Sequence, residues 1–272
     1  MEEKTINKQT QKELKEKLKA HKTWVALFIA VVLVVGTMFW YYQYKGMLLQ
    51  LFIGAVVATL ALVVSVTYEN VRRKFWEEFA TKNGWDFIDG KLLLEERAMI
   101  FKTGHDRITK NCIQKKYKDN EISIFEYEYT IGKGKNRSVF KYTIFEIKFS
   151  GFFPHIFLDY KHKRDEIAVL EKKIPLPSEF EKQFYLFAPQ KYEIEALEIF
   201  TTDTLQFLLD NNWSHDLELI DSELIIHRKK QFSDFENLES EVNKVFTFID
   251  HLFPKLENAK YQKIGDLKDT LY

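Results

Sequence analysis

The chain has 272 residues and carries 40 Lys and Arg against 40 Asp and Glu. That balance argues against a dedicated nucleic-acid binder, which carries a basic excess on one face. The single cysteine, Cys112, excludes an internal disulfide framework and a Cys-based zinc site. With 24 Phe and 13 Tyr, the chain has the apolar material for a packed core that disordered chains lack.

Residues 1–23 form a basic tail. Thr10-Gln11-Lys12-Glu13 fits a capping box, with Thr10 as the cap and Glu13 reaching back. Leu14 and Leu18, and Glu13 and Lys17, then recur four apart, so the tail is expected to be partly helical. Its lysines either set topology from a solvated surface or meet anionic lipid headgroups. Trp24–Tyr42 holds no charged residue and reaches about 28 Å as a helix, enough to cross a bilayer core. The aromatic run Phe39-Trp40-Tyr41-Tyr42 that follows is not a small-residue cleavage site, so this stretch reads as a retained span rather than a signal peptide. Met47–Tyr68 is a second uncharged run.

Only Gln43, Tyr44, Lys45 and Gly46 separate the two runs, too few to recross a membrane, so 24–68 is expected to be an antiparallel two-helix hairpin. Lysines 4, 8, 12, 15, 17, 19 and 22 precede it, Arg72, Arg73 and Lys74 follow it, and Lys45 sits in the turn. The positive-inside rule then puts both termini in the cytoplasm of an inner-membrane, two-pass protein. Gly54, Ala58, Ala61 and Ser65 in one run, and Ala26, Ala30, Leu33 and Thr37 in the other, make small-residue stripes. Such stripes either close the hairpin or pair protomers.

Residues 69–272 read as a cytoplasmic α+β domain. Lys74–Asn83 is expected to be a helix with an apolar face of Phe75, Trp76, Phe79 and Ala80, ended by Gly84. A short helix is expected over Leu92–Met99, and a strand with poor alternation over His105–Tyr117. Glu121–Thr130 and Val139–Phe149 alternate well and are rich in β-branched and aromatic residues, so they read as strands. The turn IGKGKNRS pairs them antiparallel. Ile156–Tyr160 and Gln183–Phe187 are shorter strands. The period then changes: YEIEALEIF and TTDTLQFLLDN read as helices, the second capped by Thr201 or Thr202. DLELI and ELIIHRKK, split by Asp221-Ser222, read as a second hairpin. Phe235–Phe253 is an amphipathic helix whose apolar face carries Phe235, Leu238, Val242, Val245, Phe246, Ile249 and Phe253, with Pro254 as its stop. The architecture expected is a transmembrane hairpin followed by an antiparallel sheet with packed helices.

The motifs carry little chemistry. Gly132-Lys133-Gly134-Lys135-Asn136-Arg137 lacks the spacing of a phosphate-binding loop and lies between two strands, so it reads as a solvated turn. Lys161-His162-Lys163-Arg164 and His227-Arg228-Lys229-Lys230 read as solvated basic clusters, or as headgroup contacts if they face a bilayer. The seven histidines show no metal-ligand spacing. His105-Asp106 and His215-Asp216 are adjacent pairs, and strand neighbours point to opposite faces. No catalytic, cofactor-binding or metal-binding residue is assigned, and no cofactor is implied. Neither span holds an ionisable group, which argues against a pump or channel.

The layout resembles a family of uncharacterised bacterial two-pass membrane proteins built on a domain of unknown function. FWEEFATKNGW, EYEYTIGKGKNRSVFKYTIFEI, PSEFEKQFYLFAP and ALEIFTTDTLQFLLD carry the resemblance. It implies a fold and no activity. The reading is a membrane-anchored interaction or scaffold module in contact with the lipid bilayer, a second copy or a membrane-protein partner. The competing readings are an accessory subunit of a membrane complex and an enzyme on a membrane-proximal substrate. The enzyme would have to gather scattered groups such as His105, His155, Asp159 and Cys112 into one pocket.

Overall fold

The computed structural model describes residues 28–38, 47–90, 92, 94, 96–160 and 172–263. The basic tail, both ends of the first expected span, the turn at 43–46 and the Lys161–Arg164 cluster lie outside these residues. The chain divides into two compact units, Met1–Lys74 and Phe75–Tyr272.

In the first unit, α1 (Phe28–Met38) is a short apolar helix. α2 runs Met47–Asn83, with no break where the second apolar run ends at Tyr68. By length and composition its Phe52–Asn83 stretch suffices to cross a membrane, and none of its most apolar window is buried. The hydroxyls of Thr37 and Thr59 donate back to carbonyls of their own helices, to Leu33 and Val34 and to Ala55. A hydroxyl surrounded by hydrocarbon has no water to bond and needs such partners.

The second unit is α+β on an antiparallel sheet. Phe75, Trp76, Phe79 and Ala80, on the last turns of α2, are buried in its core. Gly84 follows at φ +66, the left-handed conformation that ends a helix, and the Trp85 amide donates to the Ala80 carbonyl. Then come β1 (Asp86–Ile88), α3 (Met99–Lys102), β2 (His105–Tyr117), β3 (Asn120–Ile131), β4 (Ser138–Tyr160), β5 (Lys172–Ile174), α4 (Ser178–Glu181), β6 (Phe184–Ala188), α5 (Glu193–Ile199), α6 (Thr202–Asp210), β7 (Asp216–Arg228) and α7 (Phe235–Lys263). The strand order is β1-β2-β3-β4-β6-β5, with β7 on β4. Thr201 caps α6, its hydroxyl accepting from the Thr204 amide.

The sheet buries both faces. One packs Ile122, Ile124, Phe145, Ile147, Leu217, Leu219, Leu224 and Ile226 in a core shared with α7 and the end of α2. The other packs Phe125, Tyr127, Tyr129, Tyr142, Ile144 and Ile225 with Ile100 and Phe101 of α3. Gly104, at φ +66, lets this second layer close: a Cβ there would sit 2.4 Å from the Thr130 carbonyl oxygen.

Four expectations are corrected. The helix expected at Leu92–Met99 begins at Met99 instead. The strands expected at Val139–Phe149 and Ile156–Tyr160 are one 23-residue strand. DLELI and ELIIHRKK are not a hairpin but the single strand β7, because β4 is long enough to pair with both halves. The polar pair Asp221-Ser222 marks a bulge: Asp221 has φ +53, and the β4–β7 register shifts between Lys148, Phe153 and Ile156. Finally, α7 runs through Pro254 to Lys263, held on the core beyond the proline by Leu256. The poor alternation of His105–Tyr117 also has a cause: its pairing with β3 slips between His105 and Ile108 and again between Lys110 and Ile113.

Candidate functional site

The four groups an enzyme would have to gather keep different company. His105 is exposed on β2, with Nδ1 3.1 Å from Asp106 and Nε2 2.9 Å from the Gly132 carbonyl. His155 lies on β4, with Nε2 2.6 Å from Glu218. Asp159 pairs across β4–β6 with Tyr185. Cys112 is buried on β2, and burial, reinforced by the Glu146 charge, pushes its thiol up to about 12, which leaves it inert at neutral pH. Among the described residues no group of His, Cys, Asp and Glu is arranged to hold a metal ion.

His227 of β7, read from the sequence as part of a solvated cluster, is instead buried, as is His215 just before the strand. A 13-residue extended strand spans roughly 40 Å. Yet His227 Nδ1, near one end of β7, lies 3.5 Å from Asp216 at the other. The corner at Asp221 therefore curls the β4–β7 ribbon until the two ends of β7 meet. His227 is fully buried, edge-on to Tyr142 at 5.8 Å and stacked on Phe157 at 6.4 Å. Burial, with His215 nearby, lowers it to about 3, so it is neutral at physiological pH.

On the α7 side, His215 Nε2 lies 3.0 Å from Glu241, and Arg228 donates to the other oxygen of that carboxylate. Burial opposes the Glu241 charge, but His215 and Arg228 outweigh it and hold the carboxyl down at about 2. Near the start of β7, the buried Glu218 accepts from the Met99 amide and contacts His155, tying α3 to the sheet. These groups staple the fold; His215, His227, Glu218 and Glu241 are buried, while His155 and Arg228 keep some side-chain surface in solvent.

Ionisable side chains that do face water converge at a pocket of about 300 Å³ between the β2–β3 turn, the β4 corner and α7. Its apolar wall is Phe149, Phe153, Phe253, Pro254 and Leu256. Phe149 meets Phe153, itself buried in the core, at 5.6 Å and Phe253 at 5.7 Å, both at steep angles. Its rim carries Lys118, Asp119, Asp250 and Glu257. Asp250 accepts from Tyr117 Oη at 2.8 Å and from Lys118 Nζ at 2.7 Å; burial is the largest single effect and raises its carboxyl, but the two bonds and the Lys118 charge together outweigh it and hold the carboxyl below the usual range. Lys118 takes φ +54, a conformation that costs a side-chain-bearing residue about 1–2 kcal/mol.

The sequence reading missed this pocket. Two signals pointed to it: the Lys-Asp pair between strands, and Phe149, Phe152 and Phe153 clustered around Gly151. Neither specifies a site without the curl that brings α7 against both. The pocket sets apolar residues beside a rim of charged ones.

No family model matches the chain, and no curated protein matches it. A solved structure described as the crystal structure of the mycobacterial trehalose monomycolate transport factor A, TtfA, is similar over 68% of this chain and 94% of that one, with 12% identity and a TM-score of 0.47.

Proposed function

We propose that the protein is a two-pass membrane-anchored module whose α+β body, held at the cytoplasmic face, serves as an interaction or scaffold unit, in line with the uncharacterised bacterial family it resembles. The observation that carries this reading is α2. None of its most apolar window is buried, which disfavours a soluble core helix, and its last turns lie in the core of the body. A helix with that division of faces needs lipid along one length and protein along the other. The cations at Arg72, Arg73 and Lys74 mark the cytoplasmic end. The small-residue stripe Gly54, Ala58, Ala61 and Ser65 allows close approach of a second helix, from the hairpin itself or from a second copy.

Fractionation tests the anchor. The full-length protein is expected to sediment with membranes through alkaline washing and to be released only by detergent. Val57→Arg, which places a charge mid-span, is expected to lower that retention. A reporter fused behind Tyr272 is expected to read as cytoplasmic. A wild-type chain in the aqueous fraction, or a reporter active outside, would overturn the reading. Mild-detergent pull-down tests the module: partners that co-purify are expected, and a solitary monodisperse monomer would count against it.

A further inference from the structure

We infer that the β3–β4 turn and the segment after β7 form one basic face that lies on an anionic lipid surface. The inference rests on the membrane anchor proposed above and names the partner of the body it carries. Three observations lead to it.

The first is position within the body. Phe75, where α2 enters, packs on Phe235 at 4.9 Å. Shortly before Phe235 in the chain, the Lys230 carbonyl accepts from the Thr143 hydroxyl of β4. At the end of α2, the Asn83 carbonyl accepts from Lys115, which pairs with Ile122, itself opposite Ile147 of β4. From Phe75 to Asn83 the helix therefore follows β4 from the level of Thr143 to that of Ile147. The β3–β4 turn lies past Thr143 in the other direction, at the end of the sheet where the chain arrives from its apolar stretch.

The second is charge. At that end Glu96, Asp106 and Glu128 are taken up by Arg107, Arg137, Lys110 and Lys141. Asp234 accepts from the Asn237 amide at the start of α7. Lys133 and Lys135 are exposed and Lys230 is half-buried, and among the described residues none of the three is in an ion pair. An excess of positive charge remains, and it attracts anionic headgroups.

The third is apolar surface set among those cations. Val139 is half exposed, and Lys229 Nζ lies 4.2 Å from the centre of the neighbouring Phe140 ring. Aromatic and aliphatic groups flanked by lysine suit the headgroup boundary, where the stem lies in apolar surroundings and the ammonium reaches phosphate. The turn also holds its shape. Gly132 takes φ +78, a Cβ there would clash with the Asn136 carbonyl, and its own carbonyl accepts from His105 Nε2 at 2.9 Å.

A soluble polyanion offers the same charge. The tether, however, keeps headgroups within reach of this face at all times, an effective concentration that no free partner shares. Each lysine near an anionic surface adds about fivefold in population, so three favour the docked state about a hundredfold.

The test uses the full-length chain in lipid nanodiscs, made either of zwitterionic lipid or of a mixture with anionic phosphatidylglycerol. Cys112 is buried and its thiol inert, so Val139→Cys alone takes a polarity-sensitive maleimide dye. Emission from Val139→Cys is expected to shift to the blue in anionic discs and to stay at its aqueous value in zwitterionic ones. Raising the salt to about 0.5 M, where the screening length falls to roughly 4 Å, is expected to reverse the shift. Adding Lys133→Gln/Lys135→Gln/Lys230→Gln is expected to abolish it at an unchanged melting temperature. The salt titration reads the same dependence should that variant fail to fold. The dye on Ile194→Cys is expected to report water in both discs. Ile194 is exposed on α5, whose end near Thr201 meets Lys255, about 30 Å along α7 from Phe235. Emission at Val139→Cys that ignores lipid charge, a shift that survives salt, or an equal shift at Ile194→Cys would overturn this inference and leave the anchor standing. A chain that does not enter the discs would overturn the anchor and this inference with it. A shift evoked by heparin in zwitterionic discs, with none in anionic discs, would reassign the face to a soluble acidic partner.

Discussion

Carboxylates, histidines and cations meet in two parts of the body, along the curled strand β7 and around the pocket at the β2–β3 turn, and water divides the two groups. At β7 the side chains are sealed: His215, His227 and Glu218 are at most 1% exposed. At the pocket, Lys118 and Asp250 keep 60% and 44% of their side-chain surface in solvent. The same residue types thus do opposite work. Inside, each charge is committed to a neighbour, and removing the neighbour strands it in low dielectric. Outside, solvent levels the energies, and the arrangement stays open to a newcomer. A buried constellation of histidine and carboxylate looks more like a catalytic site than an exposed lysine and aspartate do, yet here the exposed set is the one open to solvent.

The largest expected effect belongs to His227 and appears only in acid. Its folded value of about 3 lies below the ordinary 6.5. The unfolded chain therefore takes up a proton that the native chain refuses, and stability present above pH 6.5 is lost as pH falls towards 3. The loss reaches on the order of 5 kcal/mol at the low end, at 1.36 kcal/mol per pH unit. His227→Leu is expected to flatten the acid limb of a plot of melting temperature against pH. An acid limb that keeps its slope would mean that His227 titrates elsewhere.

Next comes Glu241→Ala, which strands Arg228 beside a buried His215 and is expected to cost about 3–5 kcal/mol in denaturant unfolding. Glu218→Ala, which leaves the Met99 amide without its acceptor, is expected to cost about 1–3 kcal/mol by the same measurement. A cost below 0.5 kcal/mol, roughly the surface norm, in either variant would erase the distinction between the two regions.

Sequence pattern made the α+β class, the β3–β4 pairing and the run of helices legible, because local periodicity and turn chemistry decide them. It failed where one strand had to serve two partners. Asp221-Ser222 carries the chemistry of a turn, and only the length of β4 converts that turn into a corner. His227 misled separately: its neighbours Arg228-Lys229-Lys230 mark a solvated basic cluster, whereas the curled strand puts its own ring against Asp216. Pro254 misled for a related reason. Its local preference is to end a helix, but Leu256 beyond it has a core position to fill, and tertiary packing overrides the preference. The Trp76 and Phe79 face of α2 was legible because its spacing and its burial answer to the same helical period.

The smallest expected effect is the one that most sharpens the contrast. Asp250→Asn removes the charge that holds Lys118 and Tyr117, at a site open to solvent. If the pocket rim belongs to the surface class, the loss is about 0–1 kcal/mol, because water takes over both donors. The Tyr117 hydroxyl, raised chiefly by its hydrogen bond to Asp250, is expected to titrate lower in the variant, a shift readable by its ultraviolet absorbance. A large loss of stability would instead show that the Asp250 bond holds Lys118 at φ +54 against considerable strain. The β2–β3 turn would then belong with the β7 staples as architecture, and the exposed rim would lose its standing as the accessible member of the pair.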